Sequence, residues 1–96
     1  MSMKEAYKQK IDGELELIGA QLAELKAKAK ISTADVRIKY TKQFDELDRK
    51  ALATKEKLKE LGEAGEDAWE NLKDGVEKAW GSLNAAVRDT ADKFKN

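Results

Sequence analysis

A recurring apolar seam in residues 66–95 constrains the fold more than any other feature of this sequence. Its side chains recur eleven residues apart, which is almost three whole α-helical turns, so residues at that spacing lie on one face. At about 100° per residue they form a stripe about 80° wide. The seam consists of Trp69, Leu72, Val76, Trp80, Leu83, Val87 and Phe94. A helix with such a stripe needs another surface to cover it.

The composition indicates an all-α fold. The 96 residues fit one domain, residues 1–96, and contain no proline. Charged residues make up 40% of the chain, well above the roughly 25% of an ordinary globular protein. This composition is typical of long helices and coiled coils, which share a thin apolar seam rather than a thick core.

A first helix is predicted over about residues 3–30. Ser2 and Glu5 have the spacing of a capping box, in which the two side chains satisfy free backbone N–H groups of the first turn. Apolar residues then recur every three or four positions along one helical face. They are Tyr7, Ile11, Leu15, Ile18, Leu22, Leu25 and Ala29.

A second helix is predicted over about residues 33–62. Ser32 is a suitable N-cap, and Asp35 follows it at capping-box spacing. Ile31 and Val36 have the spacing of a hydrophobic staple across the same boundary. Because the connection is short, we expect the two helices to form an antiparallel hairpin.

The segment 62–65 admits two architectures. Gly62 and Gly65 could end the second helix and start a third over about residues 66–95, which would give a three-helix bundle. However, the apolar positions keep their helical phase within about 120° when it is carried from Val36 to Phe94. This continuity favours one long helix over about residues 33–95, with an eleven-residue (hendecad) repeat. The long helix predicts a homo-oligomer, because the seam would otherwise face water, whereas the bundle allows a monomer.

The sequence predicts no catalytic, cofactor-binding or metal-ligating residues. Histidine and cysteine are both absent, so the usual ligands of zinc, haem and iron–sulfur clusters are missing. No phosphate-binding glycine loop or nucleophile-elbow motif occurs. The acidic clusters are typical of a solvated helix face. We therefore expect a protein that is not an enzyme and has no small-molecule substrate.

The charge balance argues against a nucleic-acid partner. Basic and acidic side chains number 19 each, whereas phosphate binding requires a basic surplus. The N-terminal residues lack the apolar core of a signal peptide. No apolar run reaches the roughly 18 residues that span a bilayer. These features predict a soluble, cytoplasmic protein.

Two functions fit the seam. The first is self-association, with the seam residues packing between copies in a structural or stress-protective coiled-coil protein. The alternative is an amphipathic helix on a lipid surface, where tryptophan is favoured. Acidic residues such as Glu70 and Asp74 lie opposite the tryptophans and would be repelled by anionic lipid, so self-association is the favoured interpretation.

The block AGEDAWENLKDGVEKAWGSL, residues 64–83, resembles a group of small bacterial coiled-coil proteins. Members of that group carry a similar AW-x-x-L-x-x-G-V-x-x-A-W block after a charged helical hairpin, and some are labelled stress-responsive. The resemblance implies an all-helical bacterial cytosolic protein with a role under salt, light or oxidative stress. It implies no catalytic residues.

Overall fold

The computed structural model describes residues 2–95, which form three helices. They are α1 (Met3–Lys30), α2 (Ala34–Glu63) and α3 (Trp69–Lys95). No strand occurs within this range, and the predicted all-α class is confirmed. The helices lie side by side in a body of 51 × 20 × 18 Å.

The hairpin of α1 and α2 is confirmed, although its caps differ in part from those predicted. Ser2 caps α1, its Oγ accepting a hydrogen bond from the Glu5 backbone N–H at 3.1 Å. Thr33, not Ser32, caps α2 by accepting from the Val36 N–H. The Ser32 hydroxyl instead donates to the Ala29 carbonyl at the end of α1. The predicted staple does not form, because Ile31 is 88% exposed.

The predicted continuous helix over residues 33–95 is wrong, and the chain adopts the alternative three-helix bundle. α2 ends at Glu63, followed by Ala64 in an extended conformation with φ −73° and ψ 150°. The turn buries four seam side chains within the same chain, each contributing about 1.5–3 kcal/mol. Their burial outweighs the few exposed backbone hydrogen bonds that the turn removes, each contributing about 1 kcal/mol.

The order of the helices is up-down-up, with α2 antiparallel to both neighbours. Tyr7 of α1 lies against Trp69 at the start of α3, with ring centroids 6.0 Å apart. Tyr40 near the start of α2 packs against Phe94 at the end of α3 in a tilted arrangement, with ring centroids 4.4 Å apart. α2 and α3 share the most extensive contact, and α1 and α3 the thinnest.

Burial along α2 and α3 recurs at seven residues, and eleven-residue spacings occur beside it, as between Leu47 and Leu58 or between Val76 and Val87. The eleven-residue spacings of the seam are sums of seven and four, as expected when two positions per heptad face the core. The heptad positions in the core are Tyr40, Leu47, Thr54 and Leu61 on α2, and Trp69, Val76, Leu83 and Thr90 on α3. Both buried threonines donate their hydroxyls to a carbonyl of their own helix.

Candidate functional site

The seam predicted for self-association lies mostly inside the folded chain. Trp69, Val76, Leu83 and Val87 are at most 5% exposed and belong to the core formed with α1 and α2. The remaining seam residues, Leu72, Trp80 and Phe94, are half-buried against that core. The structure therefore places the seam residues in one cluster, and α1 and α2 of the same chain cover it.

Tyr7 of α1 contacts the seam near the start of α3. Its hydroxyl donates a hydrogen bond to Glu77 Oε1 at 2.9 Å. Burial, reinforced by the Glu77 carboxylate, raises the pKa of Tyr7 well above its ordinary value. The Lys73 ammonium lies 5.1 Å from the Tyr7 ring centroid and 6.0 Å from that of Trp69, a cation–π geometry.

Lys4 holds the turn between α2 and α3. Its Nζ donates to the carbonyls of Gly62 at 3.2 Å and Ala64 at 2.9 Å. Carbonyls at a helix C-terminus lack partners within the helix, and a cation there is favoured by the helix dipole. The first turn of α1 thus serves as a cap for the last turn of α2.

An open groove separates the C-terminal halves of α1 and α3. Its volume is about 720 Å³. Apolar side chains from both helices lie along it, including Leu17, which is 70% exposed. We call this surface the α1–α3 groove; it is lined by Glu14, Leu17, Ile18, Gln21, Glu24, Leu25 and Lys28 of α1 and by Trp80, Asn84, Arg88, Ala91, Asp92 and Phe94 of α3.

The sequence pattern indicates the α3 wall of this groove and, on its α1 wall, Ile18 and Leu25, but not Leu17. Trp80 and Phe94 belong to the predicted seam, whereas Leu17 lies off the main apolar face of α1 and belongs to no predicted site. Leu17 sits one position before the core residue Ile18. An apolar residue adjacent to the core face widens the apolar stripe, and that widening is the available sequence signal.

Chemistry within the described part of the chain is sparse. Residues 2–95 hold no group of three or more acidic side chains placed to bind a metal ion. Thr54, which carries the most buried hydroxyl on α2, donates a hydrogen bond to the Lys50 carbonyl at 2.8 Å. In the same range, no helix stays apolar over enough consecutive residues to span a bilayer.

Comparison with known proteins adds no relative. No family model, no curated protein and no solved structure matches the chain. The resemblance at residues 64–83 therefore stays a prediction, and function must be argued from the fold and its surfaces.

Proposed function

We propose that this chain is a non-enzymatic helical protein that self-associates through the α1–α3 groove, in a structural or stress-protective role. The observation that carries the proposal is the groove itself. Leu17 is 70% exposed at its edge, and Trp80 and Phe94 are only half-buried within it. Exposed and half-buried apolar side chains bordered by polar and charged residues, as in this groove, are a candidate interaction site. The stress-protective part of the proposal is supported by the resemblance at residues 64–83.

A second copy suits the groove because the α1 face is self-complementary. If a two-fold axis passes through Gln21, a residue that precedes Gln21 on one copy lies opposite the residue that follows Gln21 by the same number of positions on the other copy. Glu14 then faces Lys28 of the second copy, and the exposed Leu17 lies opposite the position of Leu25, whose own side chain is only 5% exposed. All five positions line the groove. Two α1 helices can therefore pair antiparallel with apolar residues between the charges, as in an antiparallel coiled coil.

The charges on the α1 side of the groove favour the same orientation. Glu14 and Lys28 occupy symmetry-related positions, and both line the groove. Antiparallel pairing sets these opposite charges side by side, so electrostatics favours that orientation. Lys26 does not take part, because it lies on the α2 side of α1, where its ammonium pairs with Asp48 at 2.7 Å.

The test compares two exposed leucines. Leu17→Glu places a charge in the groove, whereas Leu52→Glu places the same charge on α2, where Leu52 is 57% exposed and lies outside the groove. Neither leucine is buried, so both variants should fold. We expect light scattering after size exclusion to show a concentration-dependent mass above 10.7 kDa for the wild type and for Leu52→Glu. Leu17→Glu should remain at the monomer mass.

Two results would contradict the proposal. A wild-type mass of 10.7 kDa at every concentration would remove self-association. An oligomer equally resistant to both substitutions would place the contact elsewhere than the groove. Circular dichroism of each variant checks that helical content is unchanged.

A further inference from the structure

We propose that two copies of this chain exchange α3, with residues 64–68 straightening into helix. In the resulting dimer, α2 and α3 form one continuous helix, and the seam of each chain covers α1 and α2 of the other. The partner is the one in the proposed function, a second copy, but the surface exchanged is the buried seam rather than the α1–α3 groove. The segment 64–68 is called the hinge below.

The buried faces of α2 and α3 share one helical phase across the hinge. On a straight helix, each successive heptad position is rotated by about −20° around the helix axis. The step from Leu61 to Trp69 is eight residues long, so it rotates the next buried position by about +80° and brings it back to the same side of the helix. All buried positions of both helices therefore fall within a stripe about 80° wide if residues 34–95 form one helix. A turn imposes no such relation, so the sequence is compatible with both the bent and the straight chain.

Nothing in the hinge requires the bent conformation. No glycine or other residue in the described chain has a positive φ, and the sequence contains no proline. The turn therefore relies on no conformation that only glycine adopts. A Cβ added at Gly65 would meet no atom within 4 Å. Every hinge residue can adopt helical dihedral angles.

Exchange preserves the contacts that hold α3 in place. The pairs Tyr7–Trp69 and Tyr40–Phe94 can form between chains with the geometry they have within one chain. The carbonyls of Gly62 and Ala64, which now accept from Lys4, would instead accept hydrogen bonds inside the continuous helix. The exchanged dimer thus gains backbone hydrogen bonds at the hinge and keeps the core, which makes domain swapping a low-cost route to a dimer.

The chain concentration during refolding controls how much exchanged dimer forms, and the test varies it. The whole chain is unfolded in denaturant and refolded at low or at high concentration, and the products are diluted to one concentration before mass measurement. Exchanged dimers persist after dilution, because separating them requires α3 to leave the core. We expect Gly65→Ala to raise the dimerisation constant about fivefold per hinge, and so about 25-fold for a dimer with two hinges, because alanine favours helix over glycine.

Gly81→Ala is the matched control. Gly81 lies inside α3, and a Cβ added there would likewise meet no atom within 4 Å. The substitution strengthens α3 equally in the bent and the straight chain, so the dimer fraction should equal that of the wild type.

Gly65→Pro tests the opposite direction. Ala64 already has the extended conformation that a residue before proline prefers, so the bent chain can accommodate the substitution. Proline breaks a continuous helix, so this variant should form no exchanged dimer.

The outcomes separate this inference from the groove contact. If Gly65→Ala refolded at high concentration gives only compact 10.7 kDa monomer, or the same dimer fraction as Gly81→Ala, the exchange of α3 is overturned. A dimer that Gly65→Pro keeps and Leu17→Glu abolishes would overturn the exchange and leave the groove proposal standing. A dimer that Gly65→Pro abolishes and Leu17→Glu keeps would support the exchange and overturn the groove. Should Gly65→Pro lose its helical content, the alanine pair alone decides.

Discussion

At the residue scale, Tyr7 is the side chain that joins α1 to the start of α3. It is only 9% exposed, packs against Trp69 and donates its hydroxyl to Glu77. Its position in the apolar face of α1 predicts a core residue from the sequence alone. The hydrogen-bond partner could not be inferred, because Glu77 is seventy residues away and its approach depends on the turn at residues 64–68.

Tyr7→Phe should reduce stability modestly and change its dependence on alkaline pH. Losing the hydrogen bond costs about 1 kcal/mol. Burial and the Glu77 carboxylate raise the pKa of Tyr7 above 10.0, its ordinary value. The folded chain therefore keeps the proton that the unfolded chain releases, so this contribution is complete below pH 10 and declines as pH rises above it. Denaturant unfolding from about pH 8 upward should show the wild type losing stability faster than Tyr7→Phe. Parallel pH profiles for the two proteins would contradict this account.

At the element scale, the helices could be predicted from local signals, but the turn and the groove could not. The apolar period and the cap at Ser2 place α1 correctly, because both act within a few residues. The boundary near Ser32 is predicted within one residue, although the capping side chain is that of Thr33. The end of α2 is different. α2 runs through Gly62, so glycine does not mark it, and the turn is stabilised by burial of the seam and by Lys4 from the far end of the chain.

Charge reversal on α1 tests its antiparallel pairing. In the two-fold arrangement about Gln21, Glu14→Lys or Lys28→Glu converts two attractive contacts per dimer into two repulsive ones. Exposed ion pairs contribute about 0.2–1 kcal/mol each, so losing two of them should weaken the dimer about two- to thirtyfold in each single variant. The double variant restores opposite charges and should recover most of the affinity in sedimentation equilibrium.

The matched control is Glu56→Lys, which makes the same charge change at an exposed position of α2 outside the groove. It should leave the dimer affinity unchanged. Lys28 also contacts Glu24 on its own helix at 3.2 Å, so a small loss of α1 stability is expected from Lys28→Glu alone. If the double variant dissociates as readily as the singles, the helices do not pair about Gln21.

At the scale of the whole molecule, the two proposed association modes use different conformations of the chain. Groove pairing joins two bent chains, in each of which α3 lines the groove beside its own α1. Exchange of α3 needs the straight chain, because the seam must leave its own α1 and α2. The long helix indicated by the sequence and the bundle seen in the structure thus differ in one segment, residues 64–68. In the proposed scheme, the helix propensity of that segment and the chain concentration during folding decide between the two dimers.

The shape of the particle in solution distinguishes these states. The monomer is 51 Å long with a Cα radius of gyration of 15.5 Å. A groove dimer centred on Gln21 offsets two antiparallel bundles only slightly, so its longest dimension should be about 65 Å at a rise of about 1.5 Å per residue. An exchanged dimer contains a continuous helix over residues 34–95 and should exceed about 90 Å. Small-angle X-ray scattering on the fractions of known mass measures this dimension directly.

One result would contradict both arrangements. It is a dimer about 65 Å long whose formation depends on Gly65. A bent hinge cannot produce exchange, and a groove contact does not use the hinge.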